Sequence, residues 1–177
     1  MKIVESFLDE VFIFSLDCYS DNRGFFVETF QSKRYMEFGI NENFIQDNQS
    51  RSLKNVLRGL HFTINNEQSQ LMTVLRGEVF DVVVDVRPNS LTFGHWRGFN
   101  LGDLGPQQIY MPHGFAHGFC VLSNFADLHY KVSKDYNHHD EAGIIWSDPS
   151  INIKWPIKDP IISDRDNQHK SLNEFFS

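Results

Sequence analysis

The sequence predicts an all-β fold, on three observations. Period-two alternation recurs in short runs, clusters of Gly, Pro, Asn and Asp separate those runs, and helical periodicity is scarce. Many short strands at such spacing point to a sandwich, a jelly roll or a barrel. With no repeat, low-complexity tract or linker, residues 1–177 read as a single domain long enough to bury a real core. The conspicuous excess is phenylalanine, with 17 copies, and large flat side chains suit the space between pleated surfaces.

The elements follow in chain order. Residues 24–30 form the first strand candidate, and residues 32–38, stopped by Gly39, a short helix. Apolar Val56-Leu57 leads into Arg58-Gly59-Leu60-His61. Residues 71–75 form a strand closed by Arg76-Gly77. The clearest alternation is Glu78-Val79-Phe80-Asp81-Val82-Val83-Val84-Asp85-Val86-Arg87. It sets Phe80, Val82, Val84 and Val86 on a core face, with Asp81, Asp85 and Arg87 beside Val79 and Val83 on a second face suited to a polar cavity. Turn clusters at Pro88-Asn89-Ser90 and residues 102–106 separate it from strand candidates at 107–111, 119–122 and 128–132. Ser171 and Glu174 have capping-box spacing and start a C-terminal helical turn.

Charge and cysteine content narrow the function. A net charge of −7 argues against a nucleic-acid partner, which needs clustered Lys and Arg, yet leaves room for a small anion held by a few arginines. Cys18 and Cys120 stand far apart and read as reduced thiols of a cytoplasmic protein. The acidic residues within the N-terminal apolar stretch argue against a signal peptide. No apolar run approaches the roughly 20 residues that span a bilayer, so no membrane partner is expected.

Several residues carry chemistry. A guanidinium such as Arg58 suits bidentate phosphate binding, which turns the neighbouring His61 from a structural strand histidine toward an anion site. Pro112-His113-Gly114-Phe115-Ala116-His117-Gly118 resembles the second motif of cupins, a family of small β-barrels. Metal-binding cupins pair it with H-x-H in a first motif, whereas only His61, followed by Phe62 and Thr63, stands here. The resemblance therefore favours the barrel and argues against a metal. His138-His139-Asp140-Glu141 reads as a solvated loop. On the residues alone, the reading stops at a β-barrel with a polar, arginine-containing pocket.

The ordered motifs reach further. Asp21-Asn22-Arg23-Gly24-Phe25-Phe26, Arg58-Gly59-Leu60-His61, Arg76-Gly77-Glu78-Val79-Phe80-Asp81-Val82, Gly114-Phe115-Ala116-His117-Gly118-Phe119, Ile145-Trp146-Ser147-Asp148-Pro149, Trp155-Pro156 and Ser163-Asp164-Arg165-Asp166 span nearly the whole chain. Together they resemble the dTDP-4-dehydrorhamnose 3,5-epimerase family. The resemblance implies a cupin-like jelly-roll barrel with one or two short helices. It also implies a homodimer formed by strand exchange, a nucleotide-sugar substrate, and neither metal nor organic cofactor. It makes His61 the general base, Asp166 its paired carboxylate and Tyr130 the proton donor on the other side of the sugar. Arg23, Phe26, Glu28, Gln46, Asn48, Arg58, Gln70, His117, Tyr136, Glu141 and Arg165 fall on substrate-binding positions, with Tyr136 stacking near the base. Arg23 and Glu28 lie in the N-terminal segment that serves the neighbouring subunit in strand-exchanged relatives.

The sequence departs from the family at Gln68-Ser69-Gln70, where Gln70 replaces a lysine that stabilises the enolate. Loss of an ionic donor to an oxyanion costs on the order of 2–4 kcal/mol in the transition state. Thr63 departs less sharply, at the sugar end of the pocket. Epimerisation at C3 and C5 is the leading expectation. Epimerisation at one centre, a 3,4-ketoisomerase and a non-catalytic sugar-nucleotide-binding cupin are the alternatives, and a metal-dependent oxygenase is the weakest.

Overall fold

The computed structural model describes residues 1–65, 67–102 and 105–177. Asp103 and Leu104, part of the 102–106 turn cluster, lie outside the described residues. Two antiparallel sheets face one another. The first has six strands: β1 (Lys2–Phe7), β2 (Val11–Ser15), β10 (Gln107–Met111), β7 (Gln70–Arg76), β12 (Phe125–Val132) and β5 (Gln46–Leu53), in that spatial order. The second has five: β13 (Glu141–Gly143), β6 (Leu57–Thr63), β11 (Phe115–Val121), β8 (Val79–Asp85) and β9 (Trp96–Leu101). A separate hairpin joins β3 (Cys18–Asp21) to β4 (Gly24–Val27). The arrangement is the jelly-roll barrel expected of a cupin-like fold: β1–β2 and β8–β9 are hairpins within a sheet, and from β9 to β13 successive strands alternate between the sheets.

The packing explains the alternation. Val79 and Val83 of β8 join Met72, Ile109, Leu128, Phe99 and Phe119 in a core between the sheets. Val82, Val84 and Val86 point the other way, where Ile144, Ile151, Leu172 and the rings of Trp155, Phe175 and Phe176 cover the five-stranded sheet. Both faces of β8 are therefore buried, which corrects the expectation of one core face and one cavity face. Asp85 is not in a cavity: Arg87, Ser90 and Thr92 all donate to it, pinning the turn after β8. Burial alone would raise that carboxyl, but these hydrogen bonds outweigh it and hold Asp85 well below the usual carboxylate range.

A third cluster accounts for more of the phenylalanine. Phe14 and Tyr35 are fully covered, with Phe30, Phe38 and Phe44 packed around them on the outer face of the six-stranded sheet. Tyr35 comes from α1 (Ser32–Met36), so the predicted helix is there to cap that sheet. Among the described residues three short helices occur where one or two were expected. Beside α1 stand α3 (Leu172–Phe175), with its full capping box at Ser171 and Glu174, and α2 (Asp164–Asn167), which the sequence reading missed. No helix among the described residues is long and apolar enough to cross a membrane.

Candidate active site

The site begins with a close approach of two strands. In β6 and β11, His61 and His117 are register partners, and a register irregularity follows between His117 and Phe119. Gly59 makes the approach possible. Its φ is +116°, and a Cβ there would lie 2.6 Å from both the Gly118 Cα and the His117 carbonyl oxygen. The Gly59 amide in turn donates to Asp166 Oδ2 at 3.1 Å.

Asp166 arrives from the far end of the chain. Ser163 caps α2 by accepting from the Asp166 amide, which fixes the carboxylate against β6. Asp166 Oδ1 lies 2.8 Å from His61 Nε2. The carboxyl is buried, which alone would raise it, but the His61 and Gly59 hydrogen bonds prevail and hold it at about 2. It therefore stays ionised at neutral pH and fixes the imidazole, leaving Nδ1 as the free ring nitrogen.

Two adjoining cavities share His61 and Arg58. One of about 300 Å³ is lined by His61, Arg58, His117, Gln70, Tyr130 and Asn48, among others. Its neighbour, about 600 Å³, is lined by Arg58, His61, Tyr136, Glu141, Arg165 and Asp166. The smaller cavity has a wall from each sheet: His61 and His117 come from the five-stranded sheet, Tyr130 and Gln70 from the six-stranded one. Tyr130 lies 3.4 Å from Ser50 Oγ, and burial pushes its phenol up to about 12. It is thus a protonated donor facing a histidine that has a carboxylate behind it.

Around the larger cavity the polar groups are linked. Arg165 pairs with Glu141 at 2.9 Å, and the Tyr136 hydroxyl donates to the same carboxylate oxygen. Gln46 accepts from the Tyr136 amide and donates to Asn48. Arg58 donates to Ser52, which aims the guanidinium along the β5 edge. His117 bonds the buried Asp81 at 2.7 Å.

Of the predicted site residues, His61, Tyr130, Asp166, Arg58, Gln70, His117, Asn48, Tyr136, Glu141 and Arg165 line these two cavities, and Gln46 braces them. Arg23, Phe26 and Glu28 are not brought to them within the chain. Arg23 and Phe26 sit on the exposed β3–β4 hairpin, where Arg23 pairs with Asp21, and Glu28 pairs with Arg34. His138 and His139 are exposed, as a solvated loop should be, but Asp140 is buried and accepts from Asn65, which corrects the solvated-loop reading at that carboxylate.

Sequence reasoning missed Ser50, Ser163 and His169. Ser163 stands three residues before Asp166, the same cap spacing that revealed α3. Ser50 lies in a polar strand without a hydrophobic pattern, and no local signal marks it. His169 meets His61 edge to face with ring centroids 5.6 Å apart. Burial first, and then the nearby His61, hold the His169 imidazole below its ordinary value.

The chain resembles known proteins along most of its length. A family described as dTDP-4-dehydrorhamnose 3,5-epimerase matches residues 5–174. The chain is 46% identical to a dTDP-4-dehydrorhamnose 3,5-epimerase of Shigella flexneri, over 94% of this chain and 93% of that protein. It is 38% identical to a dTDP-4-dehydrorhamnose 3-epimerase of Streptomyces niveus, over 88% of this chain and 76% of the relative. Among solved structures, the dTDP-6-deoxy-D-glucose-3,5-epimerase of Legionella pneumophila, in complex with dTDP-4-keto-L-rhamnose, superposes with a TM-score of 0.93. The two share 46% identity, over 97% of this chain and 93% of that one.

Proposed function

This chain belongs to the dTDP-4-dehydrorhamnose 3,5-epimerase family, and from that premise we propose how its residues invert C3 and C5 of a dTDP-linked 4-keto-6-deoxyhexose. The observation that carries the reading is the pairing of His61–Asp166 with Tyr130 on opposite sheets of one cavity.

The C4 ketone acidifies the hydrogens at C3 and C5, because the electron pair left behind delocalises into an enolate. His61 takes the proton while Asp166 stabilises the imidazolium. Tyr130, kept protonated by burial, returns a proton to the opposite face, and the centre inverts. Arg58, Arg165 and Tyr136 are the groups suited to the diphosphate and the base, with His117, Gln70 and Asn48 toward the sugar. A second reading, inversion at one centre, is favoured by one feature: Gln70 offers the enolate a neutral amide where the family carries a cation.

We also propose that a second copy completes the site. Tyr19, Phe25 and Phe26 stand 66–76% exposed on the β3–β4 hairpin, an apolar surface that exchange of this segment would cover, with Arg23 carried along. The free thiols, Cys18 exposed and Cys120 buried, suit a reducing cytoplasm.

The test is incorporation of deuterium from D₂O at C3 and C5 of dTDP-4-keto-6-deoxyglucose, followed by NMR. Wild type labels and inverts both centres. Tyr130→Phe continues to exchange hydrogen through His61 but inverts poorly, and His61→Asn does neither. Label at one centre in wild type establishes the single-centre reading. Absence of label leaves a binding protein or a different nucleotide sugar.

A further inference from the structure

His169 has no part in the chemistry above, yet the fold fixes it against the dyad. The backbone at Lys170 bridges in parallel to Ile144, and its carbonyl accepts from the Ile145 amide at 2.9 Å. The ring lies over Gly143, the register partner of His61 on β13. A Cβ at Gly143 would fall 1.8 Å from His169 Nδ1, so the glycine is the space that this ring needs. That Nδ1 is buried without a hydrogen-bond partner.

His61, Asp166 and His169 each offer a ligand atom, and the three atoms lie within 4.8 Å of one another. Two imidazoles and a carboxylate are a donor set that divalent transition metals take readily. We infer that these three residues form an inhibitory metal site, best suited to Zn²⁺, built across the dyad that performs catalysis.

At Zn–N distances near 2 Å, ligand atoms of a tetrahedral site stand about 3.3 Å apart. His61 and Asp166, at 2.8 Å, are already closer than that, and rotation of the His169 ring draws in the remaining ligand. The ion replaces the hydrogen bond between His61 Nε2 and Asp166. A neutral imidazole bound through Nε2 carries its hydrogen on Nδ1, so no lone pair is left to accept a proton from the sugar. Inhibition thus rests on the reading of His61 as the base; binding does not.

The experiment titrates ZnCl₂ into metal-stripped protein by calorimetry and measures initial epimerisation rates over the same concentrations. Wild type runs beside His169→Gln and His169→Phe, the latter keeping a ring beside Gly143 so that packing is preserved. Rates are expressed relative to the metal-free rate of each variant. The expected result is one equivalent of Zn²⁺ on wild type, inhibition over the same range, reversal by EDTA, and affinity weakened at least about tenfold in both variants. Identical titrations in wild type and variants, or no binding to wild type, would overturn the inference. His169-dependent binding with an undiminished rate upholds the metal site but overturns its inhibitory role, and with it the reading of His61 as the base.

Discussion

Two histidine–carboxylate pairs sit side by side in this barrel, on register partners of neighbouring strands, and they differ in access. His61 bonds Asp166 at 2.8 Å and His117 bonds Asp81 at 2.7 Å, both through Nε2. The His61 side chain is 28% exposed, His117 only 10%. Both Asp166 oxygens have partners, one the Gly59 amide, whereas Asp81 Oδ1 is buried with none. The same donor and acceptor chemistry is thereby divided: an accessible pair can trade protons with a substrate, and a buried one braces the strand and presents a ring to it.

That contrast is most sharply tested by removing each ring. His61→Asn is expected to lower kcat by about 10³-fold or more, and His117→Asn by about tenfold with a larger share in KM. Equal losses in kcat would break the comparison. Next in size is Asp81→Ala. It strips a buried histidine of its partner and should cost about 3 kcal/mol in urea unfolding.

A smaller effect is expected from pH. Asp166 is held at about 2 in the folded chain against an ordinary 3.8. A depressed folded value means its contribution, about 2 kcal/mol, is complete above pH ~4 and lost as pH falls toward 2. The stability gap between wild type and Asp166→Asn should therefore close over that window; a constant gap would contradict the assignment. The smallest change is expected from Gln70→Lys, a rise in kcat of less than about tenfold because Arg58 already faces the same cavity. An unchanged rate and product pattern would show that position 70 does not touch the enolate.

Much of the barrel could be read from short strand-like runs between turn clusters, even in strands buried on both faces. β10 was found to the residue, and β7 and β12 within three. β5, with the sequence QDNQSRSL, escaped because it is an edge strand whose inward side meets a polar cavity and not an apolar core. β8 was located but misjudged, since valines at 79 and 83 serve one core and those at 82 and 84 another. Asp166 and His61 were paired through the family resemblance, and no local pattern could have joined residues 105 positions apart. Why His169 stands beside them was invisible, because it depends on a vacancy above Gly143 that only the folded backbone defines.

That long separation gives synthesis an ordering of its own. At translation rates of about 5–20 residues per second, His61 leaves the ribosome's catalytic centre some 5–20 s before Asp166 is added. Throughout that interval the nascent barrel can gather strands and the arginine of β6, but His61 lacks the carboxylate that it bonds in the folded chain. Completion of the pair therefore waits for the synthesis of Asp166, and a chain cut short of that residue is an idle one.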